Sequence, residues 1–190
     1  MIKSIKGTKT ERHLLKAFAG ESQARMRYSY FASKAKKDGF EQIAAIFTET
    51  ADNEKEHAKR FFKFLEGGSL EIKGTFPAGT INNTVENLKL SASGEHEEYI
   101  KLYPEAAKIA DEEGFPEIAE CFRKISIAEQ HHESIYLELI DNLENNMVFK
   151  KNTPIKWKCR NCGYVYESKE ALEICPACLH SKAYMEKLVR

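Results

Sequence analysis

Residues 118–143, IAECFRKISIAEQHHESIYLELIDNL, decide how the chain folds. Apolar side chains recur at Ile118, Phe122 and Ile125 and again at Tyr136, Leu139 and Leu143, in steps of three and four that mark the buried face of a helix. Two slots of this seam hold Glu129 and His132 instead. Residues three apart on a helix share a face, so both point inward. An ionised carboxylate buried without a partner is strongly unfavourable, and a metal ion supplies the compensation.

The anomaly occurs twice. Between Phe40 and Leu65 the seam runs Ile43, Phe47, Thr50, Glu54, His57, Phe61 and Phe64, with a second E-x-x-H facing inward. The two segments align at an offset of 75 residues, pairing Gly39 with Gly114, Phe47 with Phe122, Glu54 with Glu129 and His57 with His132. This is an internal repeat of a helix pair.

Thr8 and Glu11 predict a cap for a first helix over about 8–37, whose seam includes Glu21 and Tyr28. Asp38 and Gly39 turn the chain into a second helix over about 40–66. Residues 67–83, glycine-rich and without helical period, read as a long crossover, which lets the third helix start parallel to the second. Asn83 with Glu86 opens that helix, about 84–113, and the fourth covers about 116–145. Inward slots of the third helix hold Glu95 and Glu98, and Pro104 should bend or break it near Tyr103. Tyr28 pairs with Tyr103 at 75 but Glu21 with Glu95 at 74, so one extra residue lies between Glu95 and Tyr103. A single π turn accommodates such an excess and would carry Glu98 to the site without a counterpart in the first half.

Glu21, Glu54, His57, Glu95, Glu98, Glu129 and His132 thus converge. One carboxylate from each of two helices plus an E-x-x-H from each of the other two is the donor set for a pair of metal ions inside a four-helix bundle. Imidazole with carboxylates suits iron or manganese better than calcium or structural zinc. Two adjacent redox ions can deliver two electrons together, as O–O cleavage requires.

After a polar linker, 147–154, the chain changes character. Cys159, Cys162, Cys175 and Cys178 form two C-x-x-C knuckles, the spacing of a single tetrahedral metal. So small a unit, 155–190, needs the metal for its stability, helped by Trp157, Tyr164, Tyr166 and Tyr184. Short strands and turns are expected, with Gly163 and Pro176 suiting tight turns at the knuckles. Four thiolates accept iron or zinc, and spacing does not separate them.

Bulk properties exclude other classes. The formal net charge is zero and the basic residues are dispersed, which argues against a nucleic-acid or membrane partner. No apolar run approaches a membrane span and no signal-peptide pattern opens the chain, so a soluble, cytoplasmic protein is expected. Cys121 reads as a small buried hydrophobe, and His13, His96, His131 and His180 as solvent-facing residues without a ligand role.

The two E-x-x-H motifs, Glu21, the Glu95/Glu98 pair and the knuckles CRNCGY and CPAC resemble the rubrerythrin family over residues 8–190. The resemblance implies a mainly α fold: a ferritin-like four-helix bundle over 1–146, then a rubredoxin-like domain over 155–190. It implies a non-haem di-iron centre and one rubredoxin-type iron held by the four cysteines. Glu54 and Glu129 would bridge the irons, Glu21 and Glu95 would be terminal ligands, and His132 would bind one iron. Glu98 and His57 would alternate at the other with oxidation state, and Tyr28 and Tyr103 would hydrogen-bond ligand carboxylates. The implied activity is reduction of hydrogen peroxide to water, fed by rubredoxin or an NAD(P)H-linked reductase, in a homodimer with inter-chain electron transfer. A ferritin-like ferroxidase or iron-binding protein with a structural zinc ribbon is the alternative. It would leave the tail without a redox task and has no need of Glu98.

Overall fold

Each helix begins and ends where local chemistry dictates. In the computed structural model, which describes residues 3–188, α1 spans Lys9–Lys37 and α2 Glu41–Phe62. Then come α3 at Thr84–Glu97, one π turn at Glu98–Leu102, α4 at Tyr103–Glu112 and α5 at Pro116–Glu144. The expected domain extents include residues 1–2 and 189–190, which lie outside the described ones. Among the described residues no helix is long and apolar enough to cross a membrane.

The repeat is physical as well as textual. After α1, Gly39 adopts φ 88°, Gly39 N–H donates to Lys36 O at 3.0 Å and Phe40 N–H to Ala35 O at 2.9 Å. After α4, Gly114 adopts φ 77°, with Gly114 N–H on Asp111 O at 2.9 Å and Phe115 N–H on Ala110 O at 2.7 Å. Both are Schellman closures, which need a left-handed residue and therefore favour glycine. Each turn also caps the other half. The Asp38 carboxylate accepts from Thr84 N–H at 3.1 Å and its hydroxyl at 2.7 Å, while Glu113 accepts from Thr10 N–H at 2.8 Å and its hydroxyl at 2.7 Å. The first cap is formed with a change of partner: Thr8 Oγ1 accepts from Glu11 N–H, but the Glu11 carboxylate reaches Gly7 N–H.

Packing fixes the helix directions. One core cluster joins Tyr28 and Phe31 of α1, Ile43 and Phe47 of α2, Leu88 of α3 and Tyr136 of α5. A second joins Leu14 of α1, Phe61 of α2, Tyr103 of α4 and Phe122 of α5. The first halves of α2 and α3 share a cluster, so these helices run parallel, as the long crossover requires. Between the clusters lies the layer that carries the polar seam residues.

The expected third helix is one rod in three pieces, not one α-helix with a break at Pro104. Tyr103 N–H donates to Glu98 O, the i→i−5 bond of a π turn. Pro104, lacking an N–H, falls in the first turn of α4, where proline is tolerated. The expected second helix is shorter than 40–66, ending at Phe62 and passing through a turn.

The tail is a three-stranded antiparallel sheet in the order β2-β1-β3, with β1 at Lys150–Cys159, β2 at Val165–Glu170 and β3 at Met185–Lys187. Most of the expected linker is therefore strand. Lys150 pairs with Glu170 and Ile155 with Ser168, with a register irregularity between, and Pro154 sits in that irregularity, where no ladder donor is needed. Trp157 is fully buried and donates Nε1–H to Ser168 O at 2.9 Å. Phe149 stacks on Phe40 at 6.0 Å, joining sheet to bundle.

Candidate metal centres

α1 supplies Glu21, α2 Glu54 and His57, α3 Glu95, and α5 Glu129 and His132. All but His57 are buried, and they form two four-donor groups. Glu21, Glu54, His57 and Glu129 make one, Glu54, Glu95, Glu129 and His132 the other, each with donor atoms within 4.8 Å of one another. Glu54 and Glu129 belong to both. His57 Nδ1 lies 2.8 Å from Glu54 Oε2 and 3.0 Å from Glu129 Oε1; His132 Nδ1 lies 2.9 Å from Glu129 Oε2 and 3.2 Å from Glu54 Oε1.

Only the His57 Nδ1–Glu54 Oε2 contact among these is a hydrogen bond. Both oxygens of Glu129, one each of Glu21, Glu54 and Glu95, and His132 Nδ1 are buried without a hydrogen-bond partner. Such orphaned atoms are costly unless something else receives their lone pairs. Their lone pairs converge on shared positions between the helices, the arrangement of ligands around metal ions. Carboxylates with imidazoles fit iron, and this cluster is the donor set of a di-iron centre.

The electrostatics show the cost of crowding these groups together. Burial, reinforced by the Glu54 and Glu129 charges, pushes Glu95 up to about 8 against the opposing pull of His132. Burial followed by Glu129 and Glu54 drives Glu21 well above the carboxylate range. Burial alone would lower both histidines, but the adjoining Glu129 and Glu54 hold His57 up to about 9 and His132 up to about 12. Glu54 is similarly kept low by the two histidines in spite of its burial.

The remaining expected site residues are placed as follows. Tyr28 Oη–H donates to Glu95 Oε1 at 2.5 Å, and Tyr103 Oη–H donates to Glu21 Oε1. Each tyrosine thus holds a cluster carboxylate of the opposite half. Glu98, on the π turn, is half-buried and in neither four-donor group; it lines an adjoining cavity with Tyr103. Burial first, then the Glu95, Glu129 and Glu54 charges, raise its pKa well above the usual range. Cys121 is half-buried. His96 meets Glu133 at 2.9 Å and is half-exposed, and His131 is exposed. His13 and His180 depart from the solvent-facing expectation: both are half-buried, His13 against the cavity and His180 against Tyr184 at 4.6 Å.

Sequence reasoning misses Asn53. Its amide lies 3.3 Å from His132 Nε2, so with Nδ1 turned to a metal the other ring nitrogen has a partner, which fixes the ring. The signal was faint, because an exposed asparagine on a helix is ordinary.

In the tail, the four sulfurs lie within 4.8 Å of one another, with Cys159–Cys178 at 3.7 Å and Cys162–Cys175 at 3.6 Å. These are far beyond a disulfide bond and close to the edge of roughly 3.8 Å of a tetrahedron whose metal–sulfur bonds are about 2.3 Å. The knuckles repeat each other: Gly163 N–H donates to Cys159 O at 2.8 Å and Leu179 N–H to Cys175 O at 2.9 Å, with φ 79° and 60°. The His180 N–H holds the Cys178 thiol down to about 6. This is an Fe(Cys)4 donor set.

Comparison with known proteins points the same way. Residues 13–140 match the family model for rubrerythrin, and 157–186 that for the rubrerythrin rubredoxin-like domain. A rubrerythrin of Porphyromonas gingivalis is 60% identical over 188 residues, covering 99% of this chain and 94% of its own length. One from Nitratidesulfovibrio vulgaris is 57% identical over 187 residues, 98% of each. A solved structure of nigerythrin in a partially reduced state superposes with TM-score 0.64 at 29% identity, over 99% of this chain and 88% of that one.

Proposed function

The chain belongs to the rubrerythrin family of oxidoreductases, and from this we propose that it reduces hydrogen peroxide to water as a defence against oxidative stress. Residues 1–146 hold the site of reduction and 155–190 the electron carrier, which draws on rubredoxin or an NAD(P)H-linked reductase. The protein works in the cytoplasm as a homodimer in which the tail of one chain serves the bundle of the other. One observation supports the reading: a four-thiolate donor set shares a polypeptide with a two-metal donor set. An iron-oxidising protein would leave that carrier idle.

Bound at the cluster, an iron pair would supply the two electrons that O–O cleavage consumes. The chain's own residues do the rest. Glu54 and Glu129, common to both donor groups, would hold both metals, Glu21 and Glu95 would each be a ligand to one, and His132 would hold one. His57 would hold the other, with Glu98 as its alternative ligand. Tyr28 and Tyr103 fix the direction of Glu95 and Glu21 through their hydroxyls. Burial and the neighbouring carboxylates raise the pKa of Glu98 and so favour the form that carries a proton, and it lines the cavity beside the site. It is therefore placed to give that proton to a departing oxygen.

The test is anaerobic. Fully reduced, iron-loaded protein receives one equivalent of hydrogen peroxide or of dioxygen, and thiolate–iron absorption is followed. Colour should return faster with peroxide. Faster return with dioxygen would favour the iron-oxidase reading, and a tail that stays colourless would identify zinc and remove the electron route.

A further inference from the structure

A cavity of about 340 Å³ lies between α1, the π turn and the crossover. Hydrogen peroxide is little larger than water, whose share of liquid volume is about 30 Å³, so the cavity far exceeds what that substrate needs. Ala17, Phe76, Pro77, Leu102 and Ala106 supply carbon surface, charged side chains including Lys16, Arg27, Glu97 and Glu105 also line it, and Glu98 with Tyr103 lies beside the metal ligands.

Three features show that the space is built. Gly20 and Gly94 both line it, each one residue before a ligand carboxylate, and they are equivalent under the 74-residue offset that pairs Glu21 with Glu95. Neither is required by packing: a Cβ at Gly94 would meet nothing within 4 Å, and one at Gly20 only Glu98 Oε1 at 4.0 Å. Glycine inside a helix costs about 1 kcal/mol relative to alanine, so two of them there keep room open at a stability cost. Finally, Phe76 is the sole residue of 73–81 whose side chain is not exposed. The crossover is anchored over the cavity by this ring, and a Cβ on Gly74 would press it at 3.1 Å.

Resting on the peroxidase reading above, we infer that this cavity admits organic hydroperoxides, ROOH with a compact apolar R group, seated with R on the carbon surface and the O–O bond toward Glu98. The reaction balances as for hydrogen peroxide. The O–O bond breaks, two electrons come from the reduced iron pair, one from each ion, and two protons are taken up. The products are the alcohol ROH and water. The apolar group gains burial that hydrogen peroxide cannot.

The experiment uses reduced holoprotein, mixed anaerobically in separate arms with hydrogen peroxide, tert-butyl hydroperoxide and cumene hydroperoxide. Colour return is followed and the alcohol product measured by chromatography. Both organic peroxides should reoxidise the protein and yield one alcohol per iron pair. Gly94→Phe, which fills the cavity from a position with free space, should lose about tenfold more rate on cumene hydroperoxide than on hydrogen peroxide. Phe76→Ala, which removes part of the carbon surface, should shift the same ratio in the same direction. Ligand-observed NMR with cumyl alcohol, which needs no turnover, should detect binding to the wild type and weaker binding to Gly94→Phe. Reoxidation by hydrogen peroxide alone overturns the inference and leaves the peroxidase reading standing. Silence toward hydrogen peroxide removes the peroxidase reading itself. Equal loss on all peroxides in Gly94→Phe overturns the assignment to this cavity.

Discussion

Asn53 shows where the two halves part company at the scale of single residues. Under the 75-residue offset it pairs with Ala128, so His132 has an amide beside its outer nitrogen and the repeat provides no equivalent for His57. A metal-bound imidazole without such a partner is freer to leave, which supports the proposed exchange of His57 with Glu98. Asn53→Ala should weaken iron(II) binding at the His132 position by about 10–100-fold, read by anaerobic titration, with the other position little affected. Equal weakening at both would deny Asn53 this role. The histidines lead to a second expectation. In the metal-free protein, pKa values raised to about 9 for His57 and about 12 for His132 leave both imidazoles protonated at neutral pH. Ligation needs them neutral, so iron loading must expel protons and its affinity must fall as pH falls. A pH indicator in weak buffer should record proton release on adding iron(II). The clustered donor residues are legible in the sequence because a carboxylate on an apolar seam contradicts its surroundings. Asn53 is not, because it contradicts nothing.

Among the elements, the π turn has the clearest purpose. In the first half the residue three beyond Glu21 is Ala24, which is buried; the residue three beyond Glu95 is Glu98. Removing the extra residue would give the third helix the register of the first, in which this slot holds the methyl group of Ala24. Deleting Ile100, which is 52% exposed, should therefore restore continuous α-helix yet destabilise the protein by about 1–3 kcal/mol through overpacking. Adding Glu98→Ala should recover much of that loss. Calorimetry on the two variants decides it: a deletion as stable alone as in combination would mean the turn serves another end. This element could be read from a one-residue mismatch between repeats, since a helix tolerates no uncounted residue without changing its ladder. The opening of β1 could not. Lys150–Pro154 is polar and holds a proline, and only the partner Glu170 and the stacking of Phe149 on Phe40 make it strand. Likewise Leu179 takes a left-handed conformation against its residue preference. The geometry of four sulfurs around one point imposes that choice, and no local pattern announces it.

For the whole molecule the open physical question is which tail serves which bundle. The sheet is tied to its own bundle by Phe149 on Phe40, and Arg160, next to Cys159, borders a groove on α2 that includes Asn53. A carrier held on the face of α2 that leads to His132 could feed the bundle it touches, whereas the proposed homodimer sends electrons across to the partner. Two inactive variants separate these routes. Cys159→Ala should keep helical circular dichroism and the single-turnover reaction after chemical reduction, because the bundle core contains no tail residue, while losing turnover with the protein donor. Glu129→Ala should keep the thiolate–iron colour and lose reaction with peroxide, because it removes a carboxylate from both donor groups. Mixed dimers then hold one intact bundle and one intact tail on different chains. Inter-chain transfer predicts that unfolding and refolding the two variants together recovers donor-linked turnover that neither shows alone. A mixture as inactive as its components, with mixed dimers verified by native mass spectrometry, would place the electron path within one chain, through the α2 face and Asn53.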